Sequence, residues 1–411
     1  MNKFNMMFRF NDRFIGTPVC LIPDKEYDFS KWAVVACDQH SEDEKYWEKV
    51  KEYVGDEPST LNMIYPEVYL KKDSEEVKAE KIKAICDASK KYFETIYYEE
   101  TTKSSDGFMY IRRNTSTGVR KGVVMCIDLK HVGIGEDFAL SEEIDAEKMK
   151  IRKEIRKNST IEVSHIIMFA DDKEGILFGR DAEFAEAADK LFDFDLMDGG
   201  GHIEGYDLNG EKVYSVADSF KQLLEKGEGP TLVVADGNHA LTAAKALYDD
   251  LEKDFGEKIL KDHPLRYAMV EVVNIHDDAI QLFPIHRVIE NCDKAALENI
   301  ASKADGALKE NQSGLINIKS DFFNGCLDID GDYLKQLSDA LKDMQVEYVH
   351  SKEEAERLAG GSKVTLIMPE IKKDMIFDYI KKNGVLPKKS FSIGEEKDKK
   401  YYVESRRIVM L

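Results

Sequence analysis

Residues Thr231 to Lys245 read TLVVADGNHALTAAK. Thr231 to Ala235 are apolar or β-branched and predict a short buried strand. Asp236-Gly237-Asn238-His239 is a tight turn. From Ala240 onward Leu241, Ala244, Leu247, Tyr248 and Leu251 recur at three- and four-residue spacing, the period of a helix. A strand, a glycine turn and a helix together aim free backbone N–H groups and the positive helix end at an anion. The dipole alone is worth about 0.3–1 kcal/mol at an exposed site. A carboxylate, an amide and an imidazole share the turn, so it can do chemistry as well as bind. The plainer reading is a structural turn, with Asp236 capping the helix and Gly237 at positive φ.

The chain has 411 residues and a net charge of −20. That length suggests two to three units. The charge repels a long phosphate backbone, and no segregated basic groove is legible, so nucleic acid is not expected as a partner. The six cysteines are scattered, with no Cys-x-x-Cys pair. This predicts reduced thiols in a cytoplasmic protein and no cysteine zinc site. The longest apolar runs are of strand length, so no membrane span or signal peptide is expected.

Upstream, Pro18 to Pro23 and Ala33 to Ala36 read as buried strands. The second ends in Cys37-Asp38-Gln39-His40, polar groups at a strand's C-terminal end, where open α/β sheets place ligands. A helix is expected from Ser41 to Val54, stopped by Gly55, and a longer one from Ser74 to Glu99. Asp106 to Leu129 reads as a hairpin, turning at Asn114 to Gly118. Residues 141–159 carry the basic cluster Lys148, Lys150, Arg152, Lys153, Arg156 and Lys157. Ile161 to Ala170 reads as one strand with His165 in its middle.

Asp198-Gly199-Gly200-Gly201-His202 suits a hairpin bend or a loop over a ligand. Tyr214 to Leu224 reads as a strand passing into a helix. His286-Arg287 would make an anion clamp if it lay beside the Asp236–His239 turn, because arginine forks onto phosphate or carboxylate oxygens. From 291 the chain alternates helical and strand segments. An extended stretch follows from Val385 through Lys389 to Phe391, then a closing strand from Tyr401 to Met410. The expected division is an α/β core over 1–290, carrying the central turn, and a C-terminal α+β part over 291–411 packed on it.

Several blocks in order resemble the uncharacterised domain-of-unknown-function 1015 family. They include VVACDQHSEDEKYWE, IRKNSTIEVSHIIMFADD, FDFDLMDGGGHI, VVADGNHALTAAKA and GVLPKKSFSIGEEKDKKYYVESRRI. The family's turn is in turn similar to the phosphate-binding turn of the ParB, sulfiredoxin and free-serine-kinase group. That implies a mixed sheet with a ParB/sulfiredoxin-like core element, and phosphate held at Asp236, Gly237, Asn238 and His239. The group, and many family members, have arginine after the histidine, and the nearest branch has serine; this chain has Ala240. Either Arg287, Arg156 or Arg152 then supplies the charge, or this member has lost the activity.

The reading that follows is a nucleotide- or phosphate-binding enzyme, a phosphotransferase or hydrolase acting on a small polar metabolite. ATP or ADP and Mg²⁺ are its expected cofactors. Gly237 and Asn238 would hold phosphate. His239 would act as acid or base near its ordinary pKa of about 6.5, and Asp236 would bind Mg²⁺ or position the imidazole. Arg287, His286, His202, Gly200, Gly201, Arg156, His165, Asp38, Gln39 and Lys389 would line the site. A non-catalytic anion-binding module is the second reading, favoured by Ala240. A metal-dependent hydrolase built from Asp198, His202, Asp236, His239 and His286 is the third.

Overall fold

The central motif folds as its sequence predicts: a strand at Leu232–Asp236, Gly237 at φ +93°, and a helix at Asn238–Phe255. The computed structural model describes residues 9–96, 104–105, 107–163, 165–186, 189–227, 229–261 and 263–409. Glu99, Asp106 and Met410, named above as element ends, lie outside them. The fold is mixed α/β. None of the described helices is long and apolar enough to cross a membrane.

Contacts divide the chain into two units, 1–140 with 144–280 and 394–411, and 141–143 with 281–393. The sequence division at 290 differs from this at both ends. The first unit's elements in chain order are α1 (Glu44–Val54), α2 (Glu75–Thr95), β1 (Phe108–Thr115), β2 (Gly118–Asp128), α3 (Ala146–Asn158), β3 (Ile161–Val163), β4 (Ile166–Ala170), β5 (Asp189–Asp195), β6 (His202–Leu208), α4 (Glu211–Glu225), β7 (Leu232–Asp236), α5 (Asn238–Phe255) and β8 (Tyr267–Asn274). Its large sheet runs β5–β6–β1–β2–β8–β4–β7, ending at Phe138–Ala139. Strands β8 and β4 are parallel, and β4 and β7 antiparallel.

Alternation divides each central strand between two cores. Met109, Ile111, Val124, Cys126 and Met269 face a layer that includes Trp32, Trp47, Tyr92 and Tyr402. Phe108, Tyr110, Val123, Met125 and Val270 face one that includes Phe220, Leu241 and Tyr248.

Four local expectations change. Ala33 to Ala36 is buried but irregular, joined to the rest by a bridge from Val35 to Tyr401. Helix α1 starts at Glu44 rather than Ser41, because Asp43 accepts the Tyr46 N–H at 3.1 Å as its cap. Tyr214 to Leu224 is helical throughout, since Val213, Val216, Ala217, Phe220 and Leu223 bury one face of α4. Ile161 to Ala170 is two strands in two sheets. β4 belongs to the large one; β3 pairs with Ser405–Arg407, which pairs with Cys20–Leu21. His165 stands at the break between them.

The second unit is built on a six-stranded antiparallel sheet in the order Gly306–Glu310, Asn324–Ile329, Ile316–Lys319, Val364–Ile367, His286–Ile289, Val346–Val349. Helices at Lys294–Lys303, Tyr333–Ala340, Lys352–Leu358 and Lys373–Asn383 accompany it. The helical segments read from the sequence are present; most of the short strands between them were not legible.

Candidate functional site

Helix α5 begins without a side-chain cap. Asp236 turns back instead and accepts the Gly237 N–H at 2.9 Å through Oδ1. Its Oδ2 is buried with no hydrogen-bond partner, and Lys399 Nζ stands 3.9 Å away. Gly237 is required twice over. Its φ is +93°, and a Cβ there would lie 2.9 Å from His165 Cδ2 and 3.1 Å from Ile166 Cα. Gly237→Ala should therefore lower stability by at least about 1–2 kcal/mol, the order of the left-handed backbone penalty. It should also displace the His165 ring, which chemical shifts of that imidazole would report.

His165 is 4% exposed, and its two ring nitrogens are both engaged. Nε2 meets Asp38 Oδ2 at 3.1 Å and Nδ1 meets the Tyr402 hydroxyl at 2.6 Å. Burial works against its charge, but Asp38 outweighs it and lifts His165 to about 10. Burial likewise opposes ionisation of Asp38, yet His165 and Arg152 hold it well below the usual carboxylate range. The pair is therefore an imidazolium and a carboxylate at neutral pH. The backbone brings them together through main-chain bonds, Ala36 N–H to Lys400 carbonyl at 2.8 Å and Tyr402 N–H to Val34 carbonyl at 2.9 Å. Gln39 donates to Asp38 Oδ1 at 2.9 Å.

Helix α3 supplies the remaining charge. Lys148 and Arg152, four residues apart on one face, both pair with Glu67, at 2.6 and 2.9 Å. The α3 cap residue Asp145 donates its backbone N–H to His239 Nε2 at 2.9 Å. That bond leaves the His239 proton on Nδ1. Burial, followed by the Arg152 charge, pulls His239 down to about 4. At neutral pH it is a neutral hydrogen-bond donor rather than the proton exchanger that its ordinary pKa suggested; His165 is the charged imidazole.

Beside this cluster lies a cavity of about 120 Å³, lined among others by Cys37, Glu67, Lys148, Arg152, Arg156, His165, Ala240, Ala243 and Tyr402. Ala240 thus forms wall, where a longer side chain would occupy space.

Of the residues picked from sequence, Asp38, Gln39, His165, Asp236, Gly237, Asn238 and His239 gather at the start of α5, and Arg156 lies farther along the cavity. His202 does not join them. It starts β6, five strand spacings or roughly 24 Å across the sheet from β7, and pairs with Asp193 at 2.9 Å and Asp195 at 2.8 Å. Gly200 and Gly201 form a packed bend rather than an open loop. A Cβ on Gly200 would lie 2.7 Å from the Tyr401 ring, and one on Gly201 1.9 Å from the Asn114 carbonyl. His286, Arg287 and Lys389 belong to the second unit. There His286 Nδ1 accepts the Met368 N–H at 3.1 Å, Arg287 is buried under Tyr348, and the Lys389 N–H donates to Glu142 at 3.2 Å. The metal set drawn from Asp198, His202, Asp236, His239 and His286 does not converge. Among the described residues, Asp236 instead lies with Asp38 and His165, their donor atoms within 4.8 Å of one another, but both His165 ring nitrogens are already engaged. Glu67, Lys399 and Tyr402 were missed; nothing local marks them, and each reaches the site only through tertiary pairing.

No curated protein matches the sequence. Among solved structures, a free serine kinase in complex with ADP matches at 10% identity and a TM-score of 0.40, over 68% of this chain and 90% of that one. A conserved hypothetical protein from Pyrococcus furiosus matches at 10% and 0.35, over 66% and 90%. SbnI with a C-terminal truncation, from Staphylococcus aureus, matches at 11% and 0.37, over 66% and 82%. Likenesses at this level carry no argument about activity. The family described as "Protein of unknown function (DUF1015)" matches residues 21–372, most of the length and all of the site except Lys399 and Tyr402: the chain belongs to the DUF1015 family.

Proposed function

We propose that this protein binds the phosphate of a nucleotide at the first turn of α5 and transfers it to a small polar molecule or to water. The observation that carries the reading is the uncapped start of α5, set against the His165 imidazolium with Asp236 Oδ2 buried and unpartnered. First-turn N–H groups and the helix dipole favour an anion there. Counting Lys148, Arg152, His165 and Lys399 against Asp38, Glu67 and Asp236, positive groups outnumber negative ones by one. An anion placed there meets that excess positive charge.

In the transfer, the acceptor hydroxyl attacks phosphorus, its proton passes to Asp236 Oδ2, and the bond from phosphorus to the leaving phosphate oxygen breaks. His165 and Arg152 offset the charge that builds on the transferred group, while His239 donates a hydrogen bond through Nδ1. Asp236, a hard oxygen donor, is the residue that would hold Mg²⁺ through Oδ2, in place of taking the proton there, and the bound ion would neutralise phosphate charge. Binding without turnover is the second reading, and Ala240, with no polar atom to offer, favours it.

The test is a thermal-shift series with ATP, ADP, AMP and inorganic phosphate, with and without Mg²⁺, combined with an assay for product. A ligand at a hundred times its Kd should stabilise the wild type by about 2.7 kcal/mol. His239→Ala should shrink the shift, and Asp236→Asn should bind without forming product. No shift with any of the four ligands would remove the reading. A shift without product in the wild type would leave the binding module.

A further inference from the structure

The far end of the cavity has an uncompensated charge. Arg156 and Arg406 share a single carboxylate, Glu162, and both donate to the Tyr267 carbonyl, at 2.8 and 2.6 Å. Two guanidinium groups against one carboxylate leave one buried positive charge in excess. The Arg156 side chain is 10% exposed, it lines the cavity, and its Nε has no hydrogen-bond partner. Burial and the neighbouring Arg406 pull its pKa down to about 9, the mark of a cation short of counter-charge. A buried charge in that condition is costly unless an anion joins it. The cavity's apolar lining is Met63, Ile64, Leu70, Ile151, Ile155 and Ala243, and its charged lining besides Arg156 includes Glu67, Lys148, Arg152 and Glu162.

We propose that the cavity binds a small organic carboxylate, its head toward the Arg156 guanidinium and its body along Ile151 and Ile155. Its far end is directed at Ala240 and the first turn of α5. The size fits this class. Pockets for drug-sized ligands run to roughly 300–1,000 Å³, whereas this cavity is about 120 Å³, enough for a handful of heavy atoms and too little for a nucleoside. The carboxylate end stands on the cavity alone. The assignment of the ligand's other end, a hydroxyl or phosphate, rests on the function proposed above and makes this molecule the phosphate acceptor or its product.

The probes are glycolate, its neutral isostere glycolamide, phosphoglycolate and inorganic phosphate, titrated into the full chain by calorimetry. Glycolate should bind and glycolamide should not; phosphoglycolate, spanning both ends, should bind tighter than either glycolate or phosphate. Arg156→Met should weaken glycolate by at least about tenfold, the loss of one charge-assisted contact, and leave phosphate binding intact. Arg156→Lys should fall between. Ala243→Phe, which fills the cavity from α5 and leaves Arg156 in the sequence, should abolish glycolate binding and serves if Arg156→Met does not fold. Equal binding of glycolate and glycolamide, binding of neither, or unchanged glycolate affinity in Arg156→Met or Ala243→Phe would overturn the proposal. Phosphate bound without glycolate sinks this inference and spares the function above; glycolate bound through Arg156 without phosphate or nucleotide does the reverse.

Discussion

Arg113→Met should destabilise the first unit by about 3 kcal/mol or more. Arg113 is 1% exposed and donates to four main-chain carbonyls: Gly200 at 3.0 Å, Lys397 at 2.6 Å, Asp398 at 3.3 Å and Lys399 at 2.5 Å. Its guanidinium also lies over the Tyr401 ring, 4.9 Å from the centroid. Methionine would remove the cost of burying the charge, which burial already pulls down to about 9. It would not remove the carbonyls. The Asp398 carbonyl keeps a second donor, Arg120 at 2.8 Å, so three acceptors lose theirs; at about 1–3 kcal/mol each, the low end of that range sums to the figure given. The urea midpoint of the variant measures it. A loss under about 1 kcal/mol would mean that the 397–399 segment finds other donors and does not depend on Arg113.

Lys400→Met should cost about 3–5 kcal/mol at pH 7, the range for breaking a buried ion pair, and clearly less at pH 5. Lys400 is 2% exposed and reaches Glu271 at 2.8 Å and Glu404 at 2.7 Å, both as deeply buried. Burial alone would raise Glu271, but Lys400 and Arg120 hold it at about 2. Burial also pushes Glu404 up, with Lys400 offsetting part of the rise. In the wild type the stabilisation from Glu271 is present above its unfolded pKa of about 4.3. It is lost only as pH falls toward 2, so Glu271 contributes no slope between pH 7 and 5. Without Lys400, Glu404 is a buried carboxylate with a raised pKa. Such a group stabilises below its unfolded pKa and loses that stabilisation as pH rises. The variant should therefore regain more stability on acidification than the wild type, in which Lys400 offsets part of the Glu404 rise. Urea melts of both proteins at the two pH values give the comparison; an equal gap at pH 7 and pH 5 would show that Lys400 is not the counter-charge.

The parts of this molecule legible in sequence are those whose reasons are local. Leu232 to Phe255 shows its strand, its glycine and its helical period within one window. Ser74 announces α2 as its cap, accepting the Val77 N–H. The candidate site is legible in the same measure. Asp236 to His239 and Asp38-Gln39 stand at element ends, where polar clusters are conspicuous. His165 could be noticed but not understood, because its partners are 127 residues away at Asp38 and 237 away at Tyr402. They meet because Ser405–Arg407 pairs with Ile161–Val163. A three-residue strand has too short a pattern to reveal its pairing. The roles of His239 and His165 were equally hidden: which imidazole is charged depends on the Asp145 N–H and the Asp38 carboxylate, and neither neighbour is near in sequence.

The first unit is interrupted, with residues 281–393 intervening before it resumes at 394. Consider the chain as the ribosome makes it. The sheet, the α5 turn and the basic face of α3 all emerge before the second unit does. Lys399, Tyr401 and Tyr402 emerge after it. Until then His165 lacks the hydroxyl on its Nδ1, Arg113 lacks three of its four carbonyls, and the inner face of the sheet lacks part of its cover. A chain released before residue 394 carries most of the site's residues and little of its geometry. The assembled geometry should thus arrive as a single late step of synthesis, with no partly assembled shorter product.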